Sequence, residues 1–270
     1  MADEFLDLLT ETPLETLFLL LSLSVLRMAG FLYGFVPIYW GIGPSVLLRA
    51  SIAMALVLPV AAANLGSVAE LAETADTLTM ALLTPKEFAL GLGLGVLAST
   101  PFAAAQYAGA ITDTFRGESD SGIPNPTGGQ IQTFALLYMI IVMAALFGLD
   151  IFAALMGLIY KSYTIWEVTE FLPEFSVDTG LLAGEFLSTS LFLGALLAMP
   201  LFIVLAIAEA TVSIGARLGR RMGLYELAFP VKNLLTILLA PVVSYTVLKF
   251  APSLLDVSSE ALDKLIRLFG

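Results

Sequence analysis

Residues 186–208 read FLSTSLFLGALLAMPLFIVLAIA, 23 positions with no charged side chain. A helix crosses the hydrocarbon core of a bilayer in roughly 20 apolar residues, so this run is long enough to span. It is also apolar on every side, unlike a surface helix with one wet face. Working outward, similar runs cover Leu14–Ile38, Pro44–Asn64, Pro85 to about Phe115, Ile131–Leu149 with an extension Ile151–Tyr160, and about Val231–Leu248. Pro13 suits a helix start, a break is expected near Pro37, and Pro101 is expected to kink the third run. A short amphipathic helix is expected over Ser258–Phe269, capped by Ser258 or Ser259. The chain therefore reads as all-α and polytopic, one domain over residues 1–270 with about six hydrophobic helical segments.

Composition agrees. Of 270 residues 59% are hydrophobic, before 22 glycines are counted, and 13% are charged; a soluble domain has roughly 45–50% apolar residues with glycine included, and about 25% charged. Mean hydropathy is +0.94. The sequence holds no Cys and no His. That excludes disulfides, thiolate metal sites, Cys nucleophiles, Ser–His pairs and HExxH metalloprotease chemistry. No P-loop motif occurs, and a net charge of −11 argues against nucleic acid. No enzyme activity, cofactor or metal site is expected. The acidic first 15 residues lack the basic start of a signal peptide.

The charges between the runs are unevenly spread. Residues 1–13, 65–84 and 167–180 hold acids and no base, whereas residues 210–232 hold Arg217, Arg220, Arg221 and Lys232 against Glu226 alone. Under the positive-inside rule the basic stretch faces the cytoplasm. Six spans with both ends outside fit this pattern, provided every run crosses.

Three features could carry function. Gly91, Gly95 and Ser99, followed by Ala103, recur every four positions, as do Gly30 and Gly34 and the set Gly215, Gly219 and Gly223. Such ladders let helix backbones approach closely, inside the chain or at a subunit interface. Arg27, Arg49, Asp113, Asp150, Glu185 and Glu209 lie in or beside apolar runs, where an unpaired charge costs roughly 2.5–3.5 kcal/mol at a helix centre. They are functional candidates unless they lie near run ends or face protein or water. The segment Phe115–Gln130, FRGESDSGIPNPTGGQ, has four glycines and two prolines and cannot be one helix. It is either a solvated connector or an element that moves, with Phe115 and Ile123 able to block a lumen and Glu118 and Asp120 hydrated.

Gly109-Ala-Ile-Thr-Asp-Thr-Phe-Arg-Gly, Asn125-Pro126 and Gly128-Gly129-Gln130 are similar to the centre of the SctT/FliR family, the export-gate proteins of type III secretion systems and the flagellar exporter. Arg27, Pro37, Gly43-Pro44, Arg49, Lys86-Glu87 and Phe229-Pro-Val-Lys232 resemble further family motifs, in order along nearly the whole chain. Tyr160-Lys-Ser-Tyr163, Trp166 and Leu172-Pro173 resemble the injectisome branch. Two departures stand out: Asn125 replaces a common Asp, and Met222-Gly-Leu-Tyr-Glu-Leu replaces a flagellar Pro-Gln-x-Asn-x-Phe element.

The resemblance implies a non-enzymatic channel component of the bacterial inner membrane, inside the secretion basal body, that passes unfolded proteins. Bent helical hairpins would assemble into a helical export-gate ring. One copy would join the two smaller export-gate proteins, of SctR and SctS type, with the switch protein of SctU type as a further partner. The same resemblance implies a plug for the central loop, here Phe115, Arg116, Gly117, Ile123, Pro124 and Pro126. It also implies hairpins held largely above the bilayer, at odds with six plain spans. The competing class is a secondary transporter for a small solute, suggested by buried charges and broken helices, but the paired halves common in that class are not found.

Overall fold

The computed structural model describes residues 14–43, 45–64, 68, 69, 71, 77–117, 123, 124, 130–148, 151–170, 177–218 and 228–268. It is all-α. The described elements are α1 (Leu14–Gly34), α2 (Val36–Ile42), α3 (Val46–Ala63), α4 (Thr77–Ala98), α5 (Thr100–Arg116), α6 (Thr133–Gly148), α7 (Ile151–Ile165), α8 (Val177–Leu218) and α9 (Ala228–Leu268). Two short strands, β1 (Ile123–Pro124) and β2 (Gln130–Ile131), pair antiparallel with Ile123 opposite Ile131 and Pro124 opposite Gln130.

Helix breaks follow the backbone chemistry. The first run stops at Gly34, because Phe35 is extended (φ −84°, ψ 96°) and Pro37 begins the next helix. Ser99 stitches this break: its Oγ accepts from Val36 N at 2.8 Å and lies within donating distance of Gly34 O at 2.9 Å. Thus a helix N–H left without an intrahelical partner is satisfied from another element. The third run also breaks, at Ser99 between α4 and α5, two residues before Pro101. Proline fits the first turn of α5, where its missing N–H is not needed.

Three expectations are corrected by these boundaries. Helix α4 begins at Thr77 rather than Pro85, which lies inside it. Helix α9 runs unbroken from Ala228 to Leu268 through Pro241 and Pro252, so Ser258–Phe269 is no separate capped helix. Arg217 and Lys232 stand on α8 and α9 rather than in a loop, which shortens the basic connection to residues 219–227; Arg220 and Arg221 lie there, outside the described residues.

Among the described residues, Pro230–Phe250, of mean hydropathy 1.6, is the one helix long and apolar enough to cross a membrane. There are up to four spans if each bent pair of helices is one. The six apolar runs of the sequence do not translate into six straight spans, because Leu21–Gly34 and Val46–Ala61 are shorter apolar helices and other runs are broken. One bend lies inside α8, where Gly194–Pro200 and Phe202–Gly215 meet at 47°. Pro200 removes one helix hydrogen bond and crowds the preceding turn.

The chain divides into two compact units. The first comprises Met1–Ser99, Ala153–Gly184 and Ser259–Gly270, and the second Thr100–Phe152 and Glu185–Ser258. In the first, α1 packs on α4 and α3; in the second, α5 packs on α6. Buried side chains of the first include Phe31, Phe35, Leu83 and Tyr163, and of the second Phe102, Tyr138, Met139 and Leu146.

Candidate functional site

In the first unit, Gly91 and Gly95 put α4 against the backbone of α1. A Cβ on Gly91 would lie 1.8 Å from Arg27 O, and one on Gly95 would lie 2.4 Å from Phe31 O. From the other side, Gly30 and Gly34 face Phe88 O and Leu92 O at 2.2 and 2.5 Å by the same measure. The two ladders therefore meet within one chain, with Ser99 as the last rung. Gly93 on the same helix has nothing within 4 Å, so contact follows the four-residue spacing. Gly215 also has nothing within 4 Å, and Gly219 and Gly223 lie outside the described residues.

That close approach brings together charges that sequence reading kept apart. Arg27 on α1 is 1% exposed and Glu87 on α4 is fully buried. They form a bidentate pair, Nε to Oε2 at 2.6 Å and Nη2 to Oε1 at 2.9 Å. Arg27 also donates to Ser162 O at 2.8 Å and Trp166 O at 2.9 Å, at the C-terminal end of α7, where the helix dipole favours a cation. Its guanidinium stacks 4.4 Å from the Tyr163 ring, whose hydroxyl donates to Ser24 O at 2.7 Å. Lys86 lies 2.8 Å from Glu87 and donates to Val168 O at 3.3 Å and to Glu170 O. One acid and two bases thus meet the carbonyls of residues 162–170, with Arg27 and Glu87 buried and Lys86 at the edge. Removing one partner of such a buried pair costs about 3–5 kcal/mol. Chemically the cluster can clamp three chain segments, with the Arg27–Glu87 pair closed to solvent and Lys86 at its partly exposed edge.

Arg49 is likewise buried, at 1% exposure. It donates to Gly43 O at 2.7 Å and stacks on Tyr39 and Tyr33 at 4.1 and 4.8 Å. Gly43 has φ +73°, a conformation glycine adopts without strain.

In the second unit the central loop is clipped at its base. Asp113 near the end of α5 is fully buried. Its Oδ2 accepts from Phe134 N at 2.7 Å and Ala135 N at 3.2 Å, capping α6 from another helix. Oδ1 takes a hydrogen bond from Arg116 Nη2 at 2.9 Å, and that guanidinium lies 5.3 Å from the Phe134 ring. Gly109, where a Cβ would fall 2.3 Å from Phe134 O, allows the approach. Gly117, φ +94°, ends α5 with its N–H on Asp113 O at 3.1 Å.

Beyond this clip, β1 and β2 close the loop into a hairpin. Phe115 and Ile123 are each 41% exposed, and the Phe115 ring meets Phe202 edge-on at 4.5 Å. Pro124 pairs through its backbone with Gln130. Pro126, like Glu118 and Asp120, lies outside the described residues.

The remaining candidates are scattered. Lys232 pairs with Glu209 at 2.6 Å, while Arg217 and Glu185 are exposed and Asp150 lies outside the described residues. Glu87 is the buried acid that sequence reading left unpaired; the signal for it was Arg27, a cation that an apolar run cannot hold alone. Asp113 stood among the candidates, but its capping of residues 21 and 22 positions away leaves no local signature. Among the described residues no group of three or more His, Cys, Asp or Glu could hold a metal ion.

Comparison with known proteins adds two findings. Residues 18–257 match the family described as bacterial export proteins, family 1. Over 165 residues the chain is 32% identical to "Yop proteins translocation protein T" of Yersinia pestis and to the protein of that name from Yersinia pseudotuberculosis serotype I (strain IP32953). Each match covers 61% of this chain and 63% of the relative's own length.

Proposed function

The chain belongs to the bacterial export proteins, family 1, and from that premise we propose that it is a structural, non-enzymatic channel component of a type III secretion export gate, of the injectisome branch. The observation that carries this reading is the extent of the family match, which runs through both compact units and the central loop. The relatives' name, a translocation protein, points the same way. In this reading the protein is a multi-pass component of the bacterial inner membrane. It works in one copy with the two smaller gate proteins of SctR and SctS type and with the SctU-type switch protein, and unfolded polypeptides are its cargo.

The geometry supplies parts suited to such a task. A gate needs a rigid frame and a movable closure. The glycine ladders and the Arg27–Glu87–Lys86 cluster give rigidity, since both fix backbones rather than flexible tips. The Asp113 clip holds the loop's ends, and β1 pairs with β2 inside it. Phe115 and Ile123 supply exposed apolar groups for a seal. In this reading residues 1–270 act as one export-gate domain.

The test is purification of the tagged chain from its native membrane. The expected result is a complex of fixed stoichiometry with small hydrophobic partners, whose loss together with this chain stops protein secretion. A solitary chain that moves a small solute in proteoliposomes, with secretion intact in its absence, would overturn the assignment in favour of a secondary transporter.

A further inference from the structure

In the first unit a buried cation stands beside a helix start with spare donors. Arg49 is 1% exposed, and among the described residues no acid pairs with it and its Nε has no hydrogen-bond partner. Its Nη2 donates to Gly43 O at 2.7 Å, which holds the guanidinium just before the first turn of α3. There Ser45 Oγ takes Leu48 N at 3.4 Å, leaving the N–H groups of Val46 and Leu47 without an intrahelical acceptor. We propose that the start of α3 binds the phosphate of a membrane phospholipid, whose acyl chain lies along the exposed face of the same helix. The inference rests on the membrane placement above and adds a lipid site to it.

The charge and the donors select an anion. Arg27 shows what such a guanidinium edge does when filled: its Nε and Nη2 hold the two oxygens of Glu87. Arg49 presents the same edge with Nη2 on a neutral carbonyl and Nε on nothing. A buried charged group with an unmade hydrogen bond is costly, and the helix dipole adds positive potential at this end of α3. Tyr39 covers the guanidinium at 4.1 Å. Tyr33, at 4.8 Å and 39% exposed, is the cover that a headgroup displaces.

The helix face selects a lipid. Leu47, Met54 and Leu58 are all exposed, and their spacing puts them within about 20° of one line down α3. Ser51, beside that line, donates its hydroxyl to Leu47 O at 2.9 Å, so its polar group is already satisfied. From Leu47 to Leu58 the helix rises about 16 Å, and half of a hydrocarbon core is about 15 Å. An anion site at the head of an apolar stripe one leaflet long fits a phospholipid. Free phosphate would leave the stripe uncovered, and a carboxylate from a partner protein is the competing occupant.

The experiment uses the assembled complex in secreting cells. Benzoylphenylalanine replaces Leu47 or, further down the stripe, Leu58, and adducts are identified by mass after purification. Position 47 should give phospholipid adducts. Arg49→Gln should lower that yield by about tenfold, the loss of a hydrogen bond from a charged donor, and leave the yield at 58, set by bulk lipid, unchanged. Ser45→Asp keeps a good helix cap and sets a negative charge where the phosphate binds, so it should lower the yield at 47 likewise, including where Arg49→Gln fails to assemble. In detergent, phosphatidylglycerol should raise the melting midpoint of the delipidated complex and inorganic phosphate should not. A partner-protein adduct at 47, a lipid yield that neither variant lowers, or equal protection by inorganic phosphate would overturn the site and leave the export reading standing. A chain that salt extracts from the membrane fraction without detergent, with no lipid adduct at either position, would overturn the membrane placement as well.

Discussion

Gly91→Ala adds one methyl group, and the structure says where it goes. The new Cβ would lie 1.8 Å from Arg27 O, 2.7 Å from Arg27 C and 2.9 Å from Phe31 N. All three are backbone atoms, so no rotamer change clears the space. Real Cβ contacts do not fall below 3.0 Å, so α1 must retreat from α4 by at least 1.2 Å, the step from 1.8 to 3.0 Å. Glu87 is one turn before Gly91 on the same face, and its 2.6 Å contact with Arg27 would stretch to about 3.8 Å by that displacement. Overpacking costs about 1–3 kcal/mol and a broken buried pair about 3–5 kcal/mol. Because the shift weakens the pair without deleting a partner, we expect a total of about 3–6 kcal/mol. That corresponds to a fall on the order of 10 °C in the melting midpoint of the detergent-purified complex.

Gly93→Ala is the control. It sits on the same helix with nothing within 4 Å and should gain about 0.5–1 kcal/mol from the lower backbone entropy of alanine. Thermal unfolding and partner recovery of both variants should be measured side by side. Equal melting of the two would refute the backbone contact and the rigid frame built on it.

Further outcomes follow from the other contacts. Glu87→Gln leaves Arg27 and Lys86 without their anion and should destabilise by about 3–5 kcal/mol, whereas the double variant Arg27→Met, Glu87→Leu should melt above either single change; a melting series reads both. Asp113→Asn keeps one acceptor for Phe134 N but loses the charge facing Arg116, and should cost about 1–2 kcal/mol and speed proteolysis between residues 117 and 130. Replacing Gly117–Gly128 by a short Gly-Ser linker should leave the complex assembled yet conducting ions in a planar bilayer; a tight bilayer would place the seal elsewhere. The chain lacks cysteine, so Ala216→Cys should label only from the cytoplasm and Thr74→Cys only from outside. Labelling of position 216 in intact cells would reverse the orientation.

The helical class was legible because 23 uncharged residues in a row admit few alternatives. The break at Pro37 was legible too, since proline cannot continue a helix there. Pro85 misled because proline punctuates a sequence strongly, yet a helix accepts it inside where packing compensates; Pro101 did mark a break, which falls at Ser99. The end of α9 was read as a capped helix because Ser258 and Ser259 suit a cap, but nothing stops the preceding turns, and Lys161 pairs with Asp263 at 2.6 Å near its end. Spacing revealed the glycine ladders without revealing what they face. Arg27 could be flagged as costly, but a partner 60 residues away is fixed by the register of two helices, which a single sequence does not encode locally. Asp113 is the same case.

The Arg27 clamp also has a clock. Its acceptors arrive late: Glu87 is 60 positions downstream, and the carbonyls of Ser162 and Trp166 are 135 and 139. At about 5–20 residues per second of synthesis, Glu87 follows Arg27 by about 3–12 s and Trp166 by about 7–28 s. Throughout that interval the nascent first helix carries an unanswered guanidinium that hydrocarbon rejects. The guanidinium gains its anion only once the fourth helix has been made, and only then can the pair settle together. Order of birth along the chain thus becomes order of burial for this charge.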